Sequence, residues 1–126
     1  MWLGAGGFWV TYADVLAHLL EKIEGAIGVG FVAHDGEAVQ LEGQLAEYSH
    51  RLHLAYQGIL LQNLKQIHRN PSASLRSVIQ VHQDYAIVTK PLRSGYFLVS
   101  TLRHRKNLPR ALHYLQKVAD VLNQEL

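Results

Sequence analysis

Residues 45–68 contain no proline and carry two apolar stripes, and this pair of stripes constrains the fold more than any other feature of the chain. At 100° per residue, Leu45, Tyr48, Leu52, Ala55, Tyr56, Ile59, Leu60 and Ile67 form one broad face of a long helix. His50, Leu54, Gln57, Leu61, Leu64 and His68 form another, spaced 4, 3, 4, 3, 4, which is the rhythm of a helix-pairing seam. A helix lying on a sheet needs only one apolar face. The broad face is expected to meet the core and the seam to meet a second partner; the plain alternative is scattered surface leucines, which are common.

The segments around this helix read as short elements in the order α-β-β-α-β-β-β-α. Tyr12, Val15, Leu16, Leu19, Leu20 and Ile23 line one side of a first helix, with Thr11 or Asp14 at its start and Gly25 at its end. Residues 26–33 alternate Ile27, Val29, Phe31 and Ala33 with Gly28 and Gly30, and the glycine face predicts a helix lying close against the strand. Asp35-Gly36 suits a tight hairpin into a strand over 38–42. Strands are expected over Leu75–His82, Tyr85–Lys90 and Tyr96–Leu102. A last helix follows, with Pro109 in its first turn and Leu108, Ala111, Leu112, Leu115, Val118, Ala119 and Leu122 on one side. The fold class is therefore α/β, an α+β sandwich: a five-stranded, mainly antiparallel sheet covered by three helices. Residues 1–10, Met-Trp-Leu-Gly-Ala-Gly-Gly-Phe-Trp-Val, read as an apolar N-terminal extension lacking the basic start of a secretory signal; residues 11–126 form a single domain.

With 126 residues there is room for one domain, and 48% apolar against 17% charged residues is globular composition. No apolar run approaches the ~18 residues of a membrane span, and a cytoplasmic location is expected. The absence of cysteine removes disulfides, thiolate metal sites and a cysteine nucleophile. Residues 1–63 carry net charge −5 and residues 64–126 net +7. That split fits two faces of one domain better than a nucleic-acid surface, because the basic run Arg103, Arg105, Lys106 and Arg110 has no interleaved aromatic platform.

No nucleophile elbow, phosphate loop, calcium loop or H-E-x-x-H pattern occurs. His50 and His53, three apart on the long helix, are the one pairing with metal-ligand spacing, and no carboxylate shares their face. The chain is expected to carry no catalytic residue, no metal and no cofactor.

Several local patterns resemble the roadblock/dynein light chain domain family over about residues 12–125. They are Glu24-Gly-Ala-Ile-Gly-Val-Gly followed by His34-Asp35-Gly36-Glu-Ala-Val, then Val78-Ile-Gln-Val-His-Gln-Asp-Tyr85-Ala-Ile-Val. Gly95-Tyr-Phe-Leu-Val-Ser-Thr-Leu follows, with Asn107-Leu-Pro-Arg-Ala-Leu opening the terminal helix. Leu108-Pro109-Arg110 stands where relatives often have Leu-Gly, and residues 1–10 are not a family feature. The resemblance implies a roadblock-like fold and an obligate homodimer, in which the long second helices pack antiparallel and the third strands pair. On this chain that implies a dimer interface of Leu54, Gln57, Leu61, Leu64, Val78, Gln80 and His82. Bacterial and archaeal relatives bind small Ras-like GTPases of the gliding-motility type, some as activators. That implies a non-enzymatic regulator or scaffold with His50, Arg51, His53 and His68 on a GTPase-facing rim. No arginine finger carries over to this chain.

The alternative is a small-ligand or signal-sensing domain with a pocket between sheet and helices. Phe31, Tyr85, Tyr96 and Phe97 weigh against it, since bulky strand residues predict a filled interior.

Overall fold

A computed structural model of the chain describes residues 11–67 and 75–126. The extension over 1–10, the rim residue His68 and the helix stop at Asn70-Pro71 lie outside them. The elements are α1 (Tyr12–Lys22), β1 (Ala26–Val32), β2 (Ala38–Gly43), α2 (Glu47–Ile67), β3 (Val78–Val81), β4 (Ala86–Pro91), β5 (Phe97–Leu102) and α3 (Leu108–Asn123), with short 3-10 turns at Arg93–Gly95 and Arg105–Asn107. The order is the expected one. Among the described residues no helix is long and apolar enough to cross a membrane.

The sheet runs β2-β1-β5-β4-β3, every neighbouring pair antiparallel, so the edges are β2 and β3. Its two faces are built differently. On one, α1 and α3 set Val15, Leu16, Leu19, Leu115 and Val118 against Val29, Phe31, Val88 and Leu98. Phe31 packs there against Tyr12 and Tyr96, at ring separations of 4.8 and 5.4 Å. On the other face α2 is the one helix among the described residues, with Leu54 and Leu61 among Val32, Ile87, Phe97 and Val99.

Local chemistry sets the ends. Thr11 and Asp14 bond reciprocally, a capping box that satisfies two of the free amides of α1. Gly36 takes φ +87° in the β1–β2 turn, where a Cβ is disfavoured. Pro91 is the last residue of β4 and Pro109 sits in the first turn of α3.

Glycines on β1 decide how near α2 comes. A Cβ on Gly30 would stand 2.5 Å from Leu54 Cδ1, and one on Gly28 would stand 2.7 Å from Leu45 Cδ1. The close helix expected from these glycines is present, and it is α2. Gly58, which costs α2 about 1 kcal/mol relative to alanine, fits the same contact: a Cβ there would come within 3.1 Å of Phe97 Cζ.

Two local expectations change. The register of β1 against β5 shifts between Ala26 and Gly28. Ala26 packs with the α1/α3 core while Ile27 turns to the α2 side, away from its expected partners Val29 and Phe31. The third strand spans only Val78–Val81, shorter than the expected Leu75–His82.

Gly30→Val forces side-chain volume into the α2–β1 contact. It is expected to lower stability by about 1–3 kcal/mol, read from the urea midpoint of the purified protein.

Candidate functional site: the outer face of the long helix

α2 carries both expected faces, and they are exchanged. The stripe expected to meet a partner points inward. Leu54 is 0% and Leu61 2% exposed, His50 and Gln57 are buried, and Leu64 is half-buried. Of the broad face expected to enter the core, Tyr56 (60%) and Ile59 (58%) are exposed, with Tyr48, Leu52 and Ile67 exposed beside them, while Leu45, Ala55 and Leu60 are half-buried and Leu45 lies over Gly28. Leu54, Gln57 and Leu61 are therefore interior residues of one chain and are not available to a second.

Shape explains the exchange. The floor beneath α2 is the glycine side of β1, which admits the branched tips of Leu54 but has no depth for tyrosines at this distance. The polar members of the inner stripe are partly provided for. Gln57 Oε1 accepts from Gln80 Nε2 at 3.1 Å and from Thr89 Oγ1 at 3.3 Å, so a buried amide oxygen is paired with both neighbouring strands.

The expected β3 residues divide likewise. Val78 packs against the α2-side core and Gln80 bonds Gln57, so both serve the chain's own interior. His82 is exposed, stacks on Tyr85 at 4.4 Å and lies 3.3 Å from Gln80 Oε1. Ile79 and Val81, on the opposite face of the strand, are the exposed apolar residues there. Two separate exposed apolar surfaces result: Leu52, Tyr56, Ile59 and Ile67 on outer α2, and Ile79 and Val81 on the α1/α3 face of β3, an edge strand among the described residues.

The expected rim is dispersed. Arg51 is exposed and ion-paired with Glu47 at 3.1 Å along the helix. His53 is half-buried on the flank of α2 that faces the sheet, with Nε2 3.1 Å from Thr101 Oγ1. His50 is not on a rim at all: it is 1% exposed, and neither ring nitrogen has a hydrogen-bond partner. Among the described residues no group of three or more His, Asp or Glu is placed to hold a metal ion.

Beside the first turns of α2 opens a cavity of about 370 Å³, bounded by Ile27, Leu45, His50, His53, Tyr85 and Thr101 among others. The bulky strand residues expected to fill the interior mostly do not reach it: Phe31 and Tyr96 pack on the α1/α3 side and Phe97 lies under Gly58. Tyr85 forms part of the wall. The turned Ile27 was not legible as a wall residue, because an alternating pattern does not announce a bulge.

No family model matches the chain, and no curated protein sequence matches it. Solved structures do. A Roadblock/LC7 domain from Streptomyces avermitilis superposes with TM-score 0.76, covering 88% of this chain and 93% of that one at 13% identity. The fold is the roadblock fold. MglB of Myxococcus xanthus gives TM-score 0.76, 92% and 97% coverage and 14% identity. MglC of the same organism gives 0.66, with 93% and 100% coverage and 19% identity. At these identities the likeness concerns architecture.

The buried histidines make stability depend on pH. Burial, then His53 and Arg51, lowers the pKa of His50 below the ordinary 6.5. Burial, then His82, lowers that of His53. Burial, chiefly, lowers that of His18 as well. Below about pH 6.5 the unfolded chain therefore binds more protons than the folded one, and stability falls as pH drops; above it the imidazoles are neutral in both states and this dependence ends. Urea midpoints are expected to be lower at pH 5.5 than at pH 7.5, with a smaller difference in His50→Phe.

Proposed function

We propose that the protein is a homodimer joined through outer α2 and the edge of β3, and that the dimer is a non-catalytic platform for a small Ras-like GTPase. One observation carries this reading: the more apolar face of the longest helix is the exposed one. Exposed tyrosine, leucine and isoleucine along one helix face mark an interaction site, and β3, an edge strand among the described residues, is itself a template for pairing.

The interface residues differ from those suggested by spacing alone. Leu52, Tyr56, Ile59 and Ile67 replace Leu54, Gln57, Leu61 and Leu64. On β3 the contact is the backbone edge, while Val78 and Gln80 face their own protomer. A two-fold axis between antiparallel α2 helices would make the contact isologous, each copy giving the same patch.

The GTPase belongs to this reading through the roadblock architecture, the likeness to MglB and the family patterns in the sequence. Arg51 and Tyr48, exposed near the start of α2, stand at the border of the apolar patch. Charges at such a border tune association rate and partner choice more than affinity. The proposed setting is the cytoplasm.

Light scattering is expected to give about twice 14.2 kDa. Ile59→Glu is expected to yield a monomer with unchanged far-ultraviolet circular dichroism. Leu61→Glu, placing a carboxylate in the core, is expected to cost several kcal/mol, about 3 or more, and to unfold the chain. A monomeric unmutated protein at micromolar concentration overturns the dimer. Calorimetry against Ras-like GTPases loaded with GDP or a GTP analogue tests the platform. Nucleotide-dependent binding weakened by Arg51→Glu is expected; equal binding to both forms leaves a scaffold, and no binding removes the GTPase.

A further inference from the structure

The cavity beside the start of α2 holds a feature that the dimer and the GTPase leave unused. His50 lies in its wall, 1% exposed, with Nδ1 and Nε2 both unpartnered. A neutral imidazole carries one N–H donor and one bare nitrogen acceptor. Leaving both unmatched in an interior costs free energy that a leucine or phenylalanine at the same place would not. Gln57, one turn farther along on the same face, shows what provision looks like: its amide oxygen is bonded twice.

The local structure makes room for the ring. It lies over Gly28, where a Cβ would come within 3.1 Å of Cε1 and 3.2 Å of Nε2. The shift in register that turns Ile27 toward α2 supplies an apolar wall next to it. Leu45 and Tyr85 supply others, and His53, held by Thr101, sets a second imidazole in the lining. His50 is sealed from water as it stands. The ring borders the cavity, and its χ2 is a soft torsion that allows it to reorient toward an occupant.

The lining also defines the occupant. Among the described residues no lysine or arginine lines the cavity, and Asp84 does, which disfavours an anion. Burial lowers the pKa of both histidines, leaving them uncharged at neutral pH. A metal ion lacks a third ligand among the described residues. A volume of about 370 Å³ lies at the small end of ligand sites, which are mostly apolar with a few placed polar groups.

We propose that this cavity binds a small, uncharged, largely apolar molecule bearing one hydroxyl, which hydrogen-bonds to His50. One ring nitrogen of His50 is then partnered when the site is filled. The site lies on one chain and does not depend on the GTPase reading.

The test uses the full chain with 2-naphthol as probe and 2-naphthoate as its charged counterpart. Calorimetry and the ring ¹⁵N shifts of His50 are followed at neutral pH. 2-Naphthol is expected to bind saturably and to move the His50 shifts, and 2-naphthoate to bind at least about tenfold more weakly. His50→Phe keeps a planar aromatic ring, somewhat larger than imidazole, and removes the two unpartnered nitrogens, so it is expected to fold and to lose about tenfold in affinity, the equivalent of one hydrogen bond. Thr101→Val, which frees His53, serves as a second variant and is expected to weaken binding with the fold intact. No shift at His50 up to the solubility of the probe, equal affinity in folded His50→Phe, or tighter binding of 2-naphthoate overturns the proposal. Binding that disappears as the protein is concentrated assigns the cavity to a seam between copies, and overturns it too.

Discussion

The short distance between α2 and β1 governs the rest of the molecule. It exists because Gly28 and Gly30 present no side chain on that side of the strand. Leu54 then reaches the sheet directly and joins Val32, Ile87, Phe97 and Val99 in a second small core. Truncating such a leucine typically costs about 2–5 kcal/mol, so this contact anchors the helix. A shallow floor also selects which face of α2 can lie on it. Narrow side chains go down, and the tyrosines and isoleucines stay up.

That selection leaves polar groups inside and apolar groups outside, and the two consequences have different outcomes. Inside, Gln57 links α2 to both β3 and β4 through Gln80 and Thr89. β3 is only four residues long and an edge strand, so this link ties it to the helix. His50 has no such provision, and it stands where the floor gives way to the cavity. Outside, the exposed stripe is a liability for a free chain and an asset for an associating one.

Much of this architecture is legible in the sequence, because it is written in local signals. Thr11 with Asp14, Asp35-Gly36 and Pro109 mark boundaries through their own backbone chemistry, and the structure places them where those rules require. The alternation of Gly28 and Gly30 with apolar residues announced a close helix, and a close helix is there. The faces of α2 were not legible. Counting apolar residues favours the stripe of Leu52, Tyr56 and Ile59 as the buried one, whereas burial was decided by the depth of a floor contributed from β1, residues distant in sequence. The cavity was hidden for a related reason. Bulky residues on strands suggested a filled interior, but side-chain volume on one face of a sheet says nothing about the other, and the bulge at Ile27 reassigns a wall residue without altering its neighbours' pattern.

An exposed sheet edge raises the question of where association stops, and the two edges answer it differently. β3 is short and tied to α2 through Gln80 and Gln57, and in the proposed dimer the second copy covers outer α2 together with that edge. β2 lies at the far end of the sheet. Its pairing with β1 shifts register between Phe31 and Val32, and such an irregularity twists an edge away from further pairing. Glu42 is partly buried on β2 and accepts a hydrogen bond from Gln40 at 2.9 Å, and a charged group on an edge strand opposes addition of another strand. In the proposed dimer the adhesive edge of each copy is consumed by the other, and the edges left at both ends carry the features that resist growth. A self-complementary patch that closes on itself ends at two copies, whereas two adhesive edges on every chain would continue into a fibre.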